Sequence, residues 1–246
     1  MKRFSFNGKK ALVTGANSGI GQAISIALAT VGAHVVCAGR RGCGETVDQI
    51  TTAGGTAEDL KLDFADSMAA KLVFPDAGFD ILVNNAGIIR RDDAVDFGED
   101  DWDAVMDVNA KALFFTCQAF AREVMAQNRS GKIVNIASLL SFQGGIRVPS
   151  YTAWKHAVSG LTKLLAKEWA AKGVNVNAIA PGYVSTNNAE TLRNDAERNK
   201  AILHRIPAGR WGEAQDIADT AVLLAAPASN YIHGAVLNVG GGWHAR

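Results

Sequence analysis

Cysteine is scarce in this 246-residue chain, and the three present, Cys37, Cys43 and Cys117, share no metal-ligand spacing and cannot all pair. A disulfide framework and a zinc site are therefore excluded as organising features, no metal is expected, and small buried hydrophobes are the expected role. Proline is also rare, and no low-complexity tract or Pro-rich linker marks a boundary. Long apolar runs are missing, and residues 1–8 lack the apolar centre of a secretory leader. A soluble, cytoplasmic protein with no membrane contact is expected. Charge of one sign is missing too: 25 Lys and Arg face 24 Asp and Glu, so the net charge of +1 carries no footprint for nucleic acid or an anionic surface.

What is present suits a large buried sheet. Hydrophobic residues make up 48% and charged residues 20%, which argues for a globular chain and against disorder. Short apolar runs at 11–13, 33–38, 80–83, 132–136, 174–179 and 235–239 read as strands, with 57–62 a weaker candidate. Helical patterns lie between them. The expectation is an α/β fold, one domain over 1–246, with a parallel sheet covered by helices. The polar stretch 185–206, rich in Asn and Arg, breaks the rhythm just after a strand and reads as a helical flap beside a site.

The first strand runs straight into Thr14, Gly15, Ala16, Asn17, Ser18, Gly19, Ile20 and Gly21, which open a helical run. Such a turn brings backbone N–H groups and a positive helix end against a phosphate, as dinucleotide folds require. Its spacing is G-x3-G-x-G. At the end of the second strand, a carboxylate would favour NAD, whereas guanidinium suits the 2′-phosphate of NADP. The chain has Arg40 and Arg41 there. NADP(H) is the favoured reading, NAD(H) the alternative, and two solvated arginines the bland one.

Tyr151 and Lys155 stand four residues apart, with Ser138 thirteen residues upstream. On a helix the pair shares a face, so the ammonium is placed to favour the phenolate and make Tyr151 a proton shuttle, with Ser138 holding a substrate oxygen. A half-buried tyrosine beside a snorkelling lysine is the ordinary alternative.

Taken with Asn84, Asn85, Ala86, Gly87, Asn109, Pro181 and Gly182, these motifs resemble the short-chain dehydrogenase/reductase family over nearly the whole length. The resemblance implies a single-domain Rossmann-type three-layer α/β/α fold with a seven-stranded parallel sheet, assembled as a homotetramer. It implies that Tyr151 donates or accepts the proton, that Lys155 binds the nicotinamide ribose and lowers the Tyr151 pKa, and that Ser138 orients the substrate oxygen. Asn109 would hold a water linking Lys155 to solvent. Asn85, Ala86 and Gly87 resemble the turn against the adenosine ribose, Asp63 the adenine contact with Phe64 beside it in the cofactor site, and Pro181, Gly182, Val184 and Thr186 the grip on the carboxamide. Within the family, stretches 137–151, 177–188, 205–212 and 241–243 look like those of dehydrogenases acting on small sugar acids.

A sugar acid needs a cation for its carboxylate. Arg147 is the first candidate, with Gln143 for a hydroxyl and Asn187, Asn188 and His204 on the flap. Arg90 and Arg91 read as a surface cluster with Asp92 and Asp93. The tryptophans read as core or subunit contacts, with residues 243–246 docking on a neighbouring subunit. The short stretch between Asp63 and Asp80 predicts a truncated helix. A reductase for gluconate or a 3-oxoacyl thioester, and a nucleotide sensor without turnover, are the competing functions.

Overall fold

The computed structural model describes residues 2–66, 71–186 and 189–245. Seven parallel strands form one sheet: β1 Lys10–Thr14, β2 His34–Gly39, β3 Thr56–Lys61, β4 Ile81–Asn84, β5 Gly131–Ile136, β6 Val174–Pro181 and β7 Val236–Val239. Their order is β3-β2-β1-β4-β5-β6-β7. Every expected strand is present within a residue or two of its expected ends, including the weak one, β3, which pairs with β2 from His34↔Thr56 to Gly39↔Lys61. β3 is an edge strand and reads polar because only one of its sides is covered.

Helices α1 Gly19–Thr30, α2 Gly44–Thr52, α3 Glu99–Val105, α4 Ala112–Ala126, α5 Pro149–Trp169, α6 Glu190–Asn194, α7 Ala196–Arg205 and α8 Ala214–Ala225 accompany the sheet. Successive strand side chains point to opposite faces, and the apolar runs fill both layers. Leu12, Leu82 and Ile133 pack with Phe120, Val158 and Leu165 of α4 and α5. Their neighbours Val13, Val83 and Val134 pack with Ile24 and Leu28 of α1 and Ile217 and Leu224 of α8. Proline opens α5, where a missing N–H costs nothing.

The truncated helix expected between β3 and β4 falls largely on residues 67–70, outside the described ones. A turn of π-helix, Met106–Lys111, joins α3 to α4 and was not foreseen. The three thiols are buried, and burial pushes Cys37 up to about 11 and Cys43 and Cys117 up to about 12. Trp243 is 6% exposed and packs within its own chain on Leu139, Ile202 and Ile206, in keeping with the core reading of the tryptophans. No helix among the described residues is long and apolar enough to cross a membrane. Strand order reverses between β1 and β4, so a crevice opens outside their C-terminal ends.

Candidate active site

The glycine turn lies at that crevice. Gly15 (φ 65°) and Gly19 (φ 57°) adopt left-handed backbone that other residues resist. A Cβ on Gly21 would stand 2.2 Å from the Gly15 carbonyl oxygen, so the helix meets the strand only because that atom is missing. Ser18, the N-cap of α1, makes no side-chain capping bond, and the first turn holds no acid. The N–H groups of the first turn therefore have no side-chain cap from Ser18, which leaves them available to an anion such as a pyrophosphate. Thr186 lies across the gap, 3.4 Å from where a Gly19 Cβ would be. Asn17 sits against Gly39. Arg40 and Arg41 are exposed, and neither forms an ion pair among the described residues. These features fit a phosphorylated dinucleotide.

The next turn is fastened to the first. Thr14 Oγ1 accepts from the N–H groups of Asn85 and Ala86 at 3.0 and 2.9 Å, and Asn85 Nδ2 donates to the carbonyls of Thr14 and Gly15. The Asn85 amide is thus a tie between turns as well as a wall of the crevice. Asp63 is exposed and accepts from the Ala65 N–H at 3.0 Å in a local turn beside the end of β2. The Phe64 side chain is 7% exposed and packs in the core.

One cleft of about 240 Å³ gathers Asn85, Gly87, Ser138, Tyr151, Lys155, Pro181, Gly182, Val184 and Thr186. It is floored by the ends of β4, β5 and β6, which is why residues so far apart in sequence converge. Lys155 is 5% exposed and donates to the Ile136 carbonyl at 2.6 Å, while Ser141 Oγ donates to the Lys155 carbonyl at 2.6 Å. Burial pushes Tyr151 up to about 12, opposed first by the charge of Arg91 and then by a hydrogen bond from Ser138. Burial pushes Lys155 down to about 7. For Tyr151, desolvation outweighs the lowering contributions, the larger of which is the charge of Arg91. Asn109, fully buried in the π-turn, accepts from the Ile88 N–H and donates to the Ile88 carbonyl, both at 2.8 Å. Its amide is committed to that loop.

The expected substrate contacts fare differently. Arg147 (φ 62°) is 53% exposed and pairs with Asp93 at 3.1 Å and Asp92 at 3.8 Å, while its carbonyl accepts from the Asp92 N–H. It staples two loops and does not line the cleft. Gln143 accepts from the Trp243 indole N–H at 3.0 Å, and His204 is exposed outside the cleft lining. Asn187 and Asn188 lie outside the described residues. Arg90 pairs with Asp101 at 3.0 Å, not with the acids beside it. That leaves Arg91, which sequence reasoning assigned to the surface, lining the cleft with no ion pair among the described residues. Ile88, Ile89, Trp154, Tyr183 and Leu192 line it as well. The available signal was position: Arg91 follows the turn after β4, at the carboxyl end of a strand beside the switch point.

Fold and cleft together define a Rossmann-type dinucleotide-dependent oxidoreductase. The sequence profile described as Enoyl-(Acyl carrier protein) reductase matches residues 15–244. The chain belongs to the short-chain dehydrogenase/reductase family. It is 50% identical to the 2-dehydro-3-deoxy-D-gluconate 5-dehydrogenase of Dickeya dadantii (strain 3937), covering 100% of this chain and 99% of that one. It is 51% identical to the enzyme of the same name from Bacillus subtilis (strain 168), covering 99% and 97%. A crystal structure from Agrobacterium tumefaciens, provisionally named a 2-deoxy-D-gluconate 3-dehydrogenase and holding NADP, superposes with a TM-score of 0.99 at 70% identity over the full length of both chains.

Proposed function

We propose that this chain is an NADP(H)-dependent oxidoreductase that interconverts a secondary alcohol and a ketone on a small sugar acid. The substrates named for its relatives, 2-dehydro-3-deoxy-D-gluconate and 2-deoxy-D-gluconate, define the class. The observation that carries this reading is the cation Arg91 facing Tyr151 across a cleft that Lys155 and Ser138 also line.

Gly15, Asn17, Ser18, Gly19, Ile20 and Gly21 would hold the pyrophosphate, Arg40 and Arg41 the 2′-phosphate, Asp63 and the Phe64 backbone the adenine, and Asn85, Ala86 and Gly87 the ribose. Pro181, Gly182, Val184 and Thr186 would hold the carboxamide, and Lys155 the second ribose. When bound, the nicotinamide supplies or accepts the hydride. Tyr151 gives its phenolic proton to the ketone oxygen in reduction and takes it back in oxidation, and Ser138 donates a second hydrogen bond to the same oxygen. The Arg91 charge favours the phenolate needed for oxidation. Arg91 also binds the substrate carboxylate, a task for which Arg147 is already occupied. Asn109 keeps the π-turn against Ile88, and a water held by that turn returns protons to Lys155. The stretch 185–206, which includes Asn187 and Asn188, acts as the flap. The chain is further read as a cytoplasmic homotetramer, a state that sedimentation would test.

The test is a paired substitution. Arg91→Ala is expected to raise KM for a sugar acid by about 30-fold and Arg147→Ala by less than threefold, on the scale of a charge-assisted hydrogen bond. Equal effects would overturn the Arg91 assignment. Turnover of a 3-oxoacyl thioester above that of any sugar acid would favour the acyl reading, which Ile88, Ile89 and Leu192 in the cleft lining keep open.

A further inference from the structure

We propose that Trp154 is a positioning residue whose indole face holds the Lys155 ammonium in place and charged at the closed end of the cleft. The proposal uses the reading above to give Lys155 a task, but its test does not depend on that reading.

Trp154 precedes Lys155 on α5 and is 2% exposed. Neighbouring helix positions diverge by about 100°, so the two side chains meet only because Lys155 folds back over the ring. Its Nζ lies 4.0 Å from the Trp154 ring centroid and 5.3 Å from that of Tyr151. The two rings meet edge to face, with centroids 6.3 Å apart at 81°. One turn of helix thus lines two sides of the ammonium with aromatic surface.

The rest of its environment offers little else. Among the described residues, Lys155 Nζ donates to the Ile136 carbonyl and has no carboxylate partner. The charged or titratable groups near it are Tyr151, from its own helix, and Arg91, from the loop after β4, which carries like charge. Burial alone drives the amine toward its neutral form. The negative face of an indole is what remains to oppose that, and cation–π attraction is strongest in a desolvated site. Trp154 is not held there by its polar atom, since its buried indole N–H has no hydrogen-bond partner among the described residues. The ring is wedged in position: its Cζ2 lies 3.6 Å from where a Cβ on Gly87 would be, so Gly87 leaves it room.

The test titrates Lys155 directly in cofactor-free protein, by NMR of ε-13C-lysine-labelled wild type, Trp154→Phe and Trp154→Leu, with Lys155→Met giving the assignment. Loss of the ring in Trp154→Leu is expected to lower the Lys155 midpoint by about one pH unit, and Trp154→Phe by less than half of that. The pH limb of kcat/KM that reports Lys155 should move the same way in the same order. If Trp154→Leu does not fold, Trp154→Met fills the space without a ring and replaces it. Unchanged midpoints with a lowered Tm would make Trp154 a packing residue and overturn the proposal, as would equal shifts for Phe and Leu. A shifted midpoint in an enzyme that turns over no sugar acid would leave this proposal standing and remove the substrate reading instead.

Discussion

The two ends of the cleft are built from different materials. Around β1 and β2, the crevice is shaped mainly by backbone, with left-handed glycines, an uncapped helix end and a Gly21 that touches a carbonyl, and Arg40 and Arg41 stand exposed beside it. Around the loops after β4, β5 and β6, it is shaped by side chains competing for one another, and the outcome of each competition decides which of them line the cleft. Arg147 goes to Asp92 and Asp93, Gln143 goes to Trp243, Arg90 goes to Asp101, and Arg91 is left facing the cleft. A backbone site is fixed by local sequence. A side-chain site is fixed by long-range pairing.

Between them stands Tyr151, which belongs to neither end, and its loss should have the largest effect. Tyr151→Phe is expected to lower kcat by at least about 10³-fold, the scale of a lost general acid, while the cofactor Kd stays within about twofold. Stopped-flow turnover with fluorescence titration of NADPH would check both. Retained turnover would break the comparison at its centre, because the chemistry would then not pass through the cleft that the two ends enclose.

The backbone end should be the less forgiving of the two. Gly21→Ala puts a methyl 2.2 Å from the Gly15 oxygen and 2.4 Å from Asn85 Nδ2, and the first of these is backbone that cannot swing away. Cofactor affinity is expected to fall by about 100-fold, with Tm lower by roughly 5 °C, on the scale of an overpacked contact. Calorimetric titration with NADP, with the sugar-acid KM read at saturating cofactor, separates the ends. A substitution that raised that KM while leaving NADP binding intact would reverse the comparison.

The same contrast explains what was legible in sequence. Strand positions, the glycine turn, and the convergence of Ser138, Tyr151 and Lys155 followed from local pattern and from the strand ends that a parallel sheet brings together. The partner of Arg147 did not, since Asp92 and Asp93 adjoin Arg90 and Arg91 in sequence and stand far from Arg147, and nothing local says that they pair with the distant guanidinium. Nor did the partners of Trp243, whose contacts on Leu139, Ile202 and Ile206 come from two segments far from it in sequence. Desolvation of Tyr151 was likewise invisible, because spacing shows neighbours and not the depth of water.

Trp243 allows the side-chain end to be tested alone. Its indole donates to Gln143, its ring stacks under the Arg205 guanidinium at 4.1 Å and lies 4.8 Å from the Tyr183 ring, so it joins the loop after β5 to helix α7. Trp243→Leu should raise the sugar-acid KM by about tenfold through lost positioning, with the NADP Kd within about twofold. Equal losses in both would show that the ends are not independent.

The smallest effect concerns the ion pair between Arg210 and Asp216, which are not among the residues lining the cleft. Arg210 grips Asp216 at 2.8 and 2.9 Å, and Asp216 also accepts from the Glu213 N–H at 2.7 Å, capping α8. These bonds hold the Asp216 carboxyl down at about 2. A depressed carboxyl stabilises the fold above its unfolded pKa, near ~4, and that contribution is lost as pH falls toward the folded value. The pair is largely exposed, so solvent screening keeps the term small. Asp216→Asn is therefore expected to lower Tm by roughly 2 °C at pH 7, and the gap to the wild type should narrow as pH drops from about 5 to 3. Scanning calorimetry across that range measures it. A gap that stayed constant with pH would assign the loss to capping geometry alone, and the Arg210 contact would then contribute nothing to the stability of the fold.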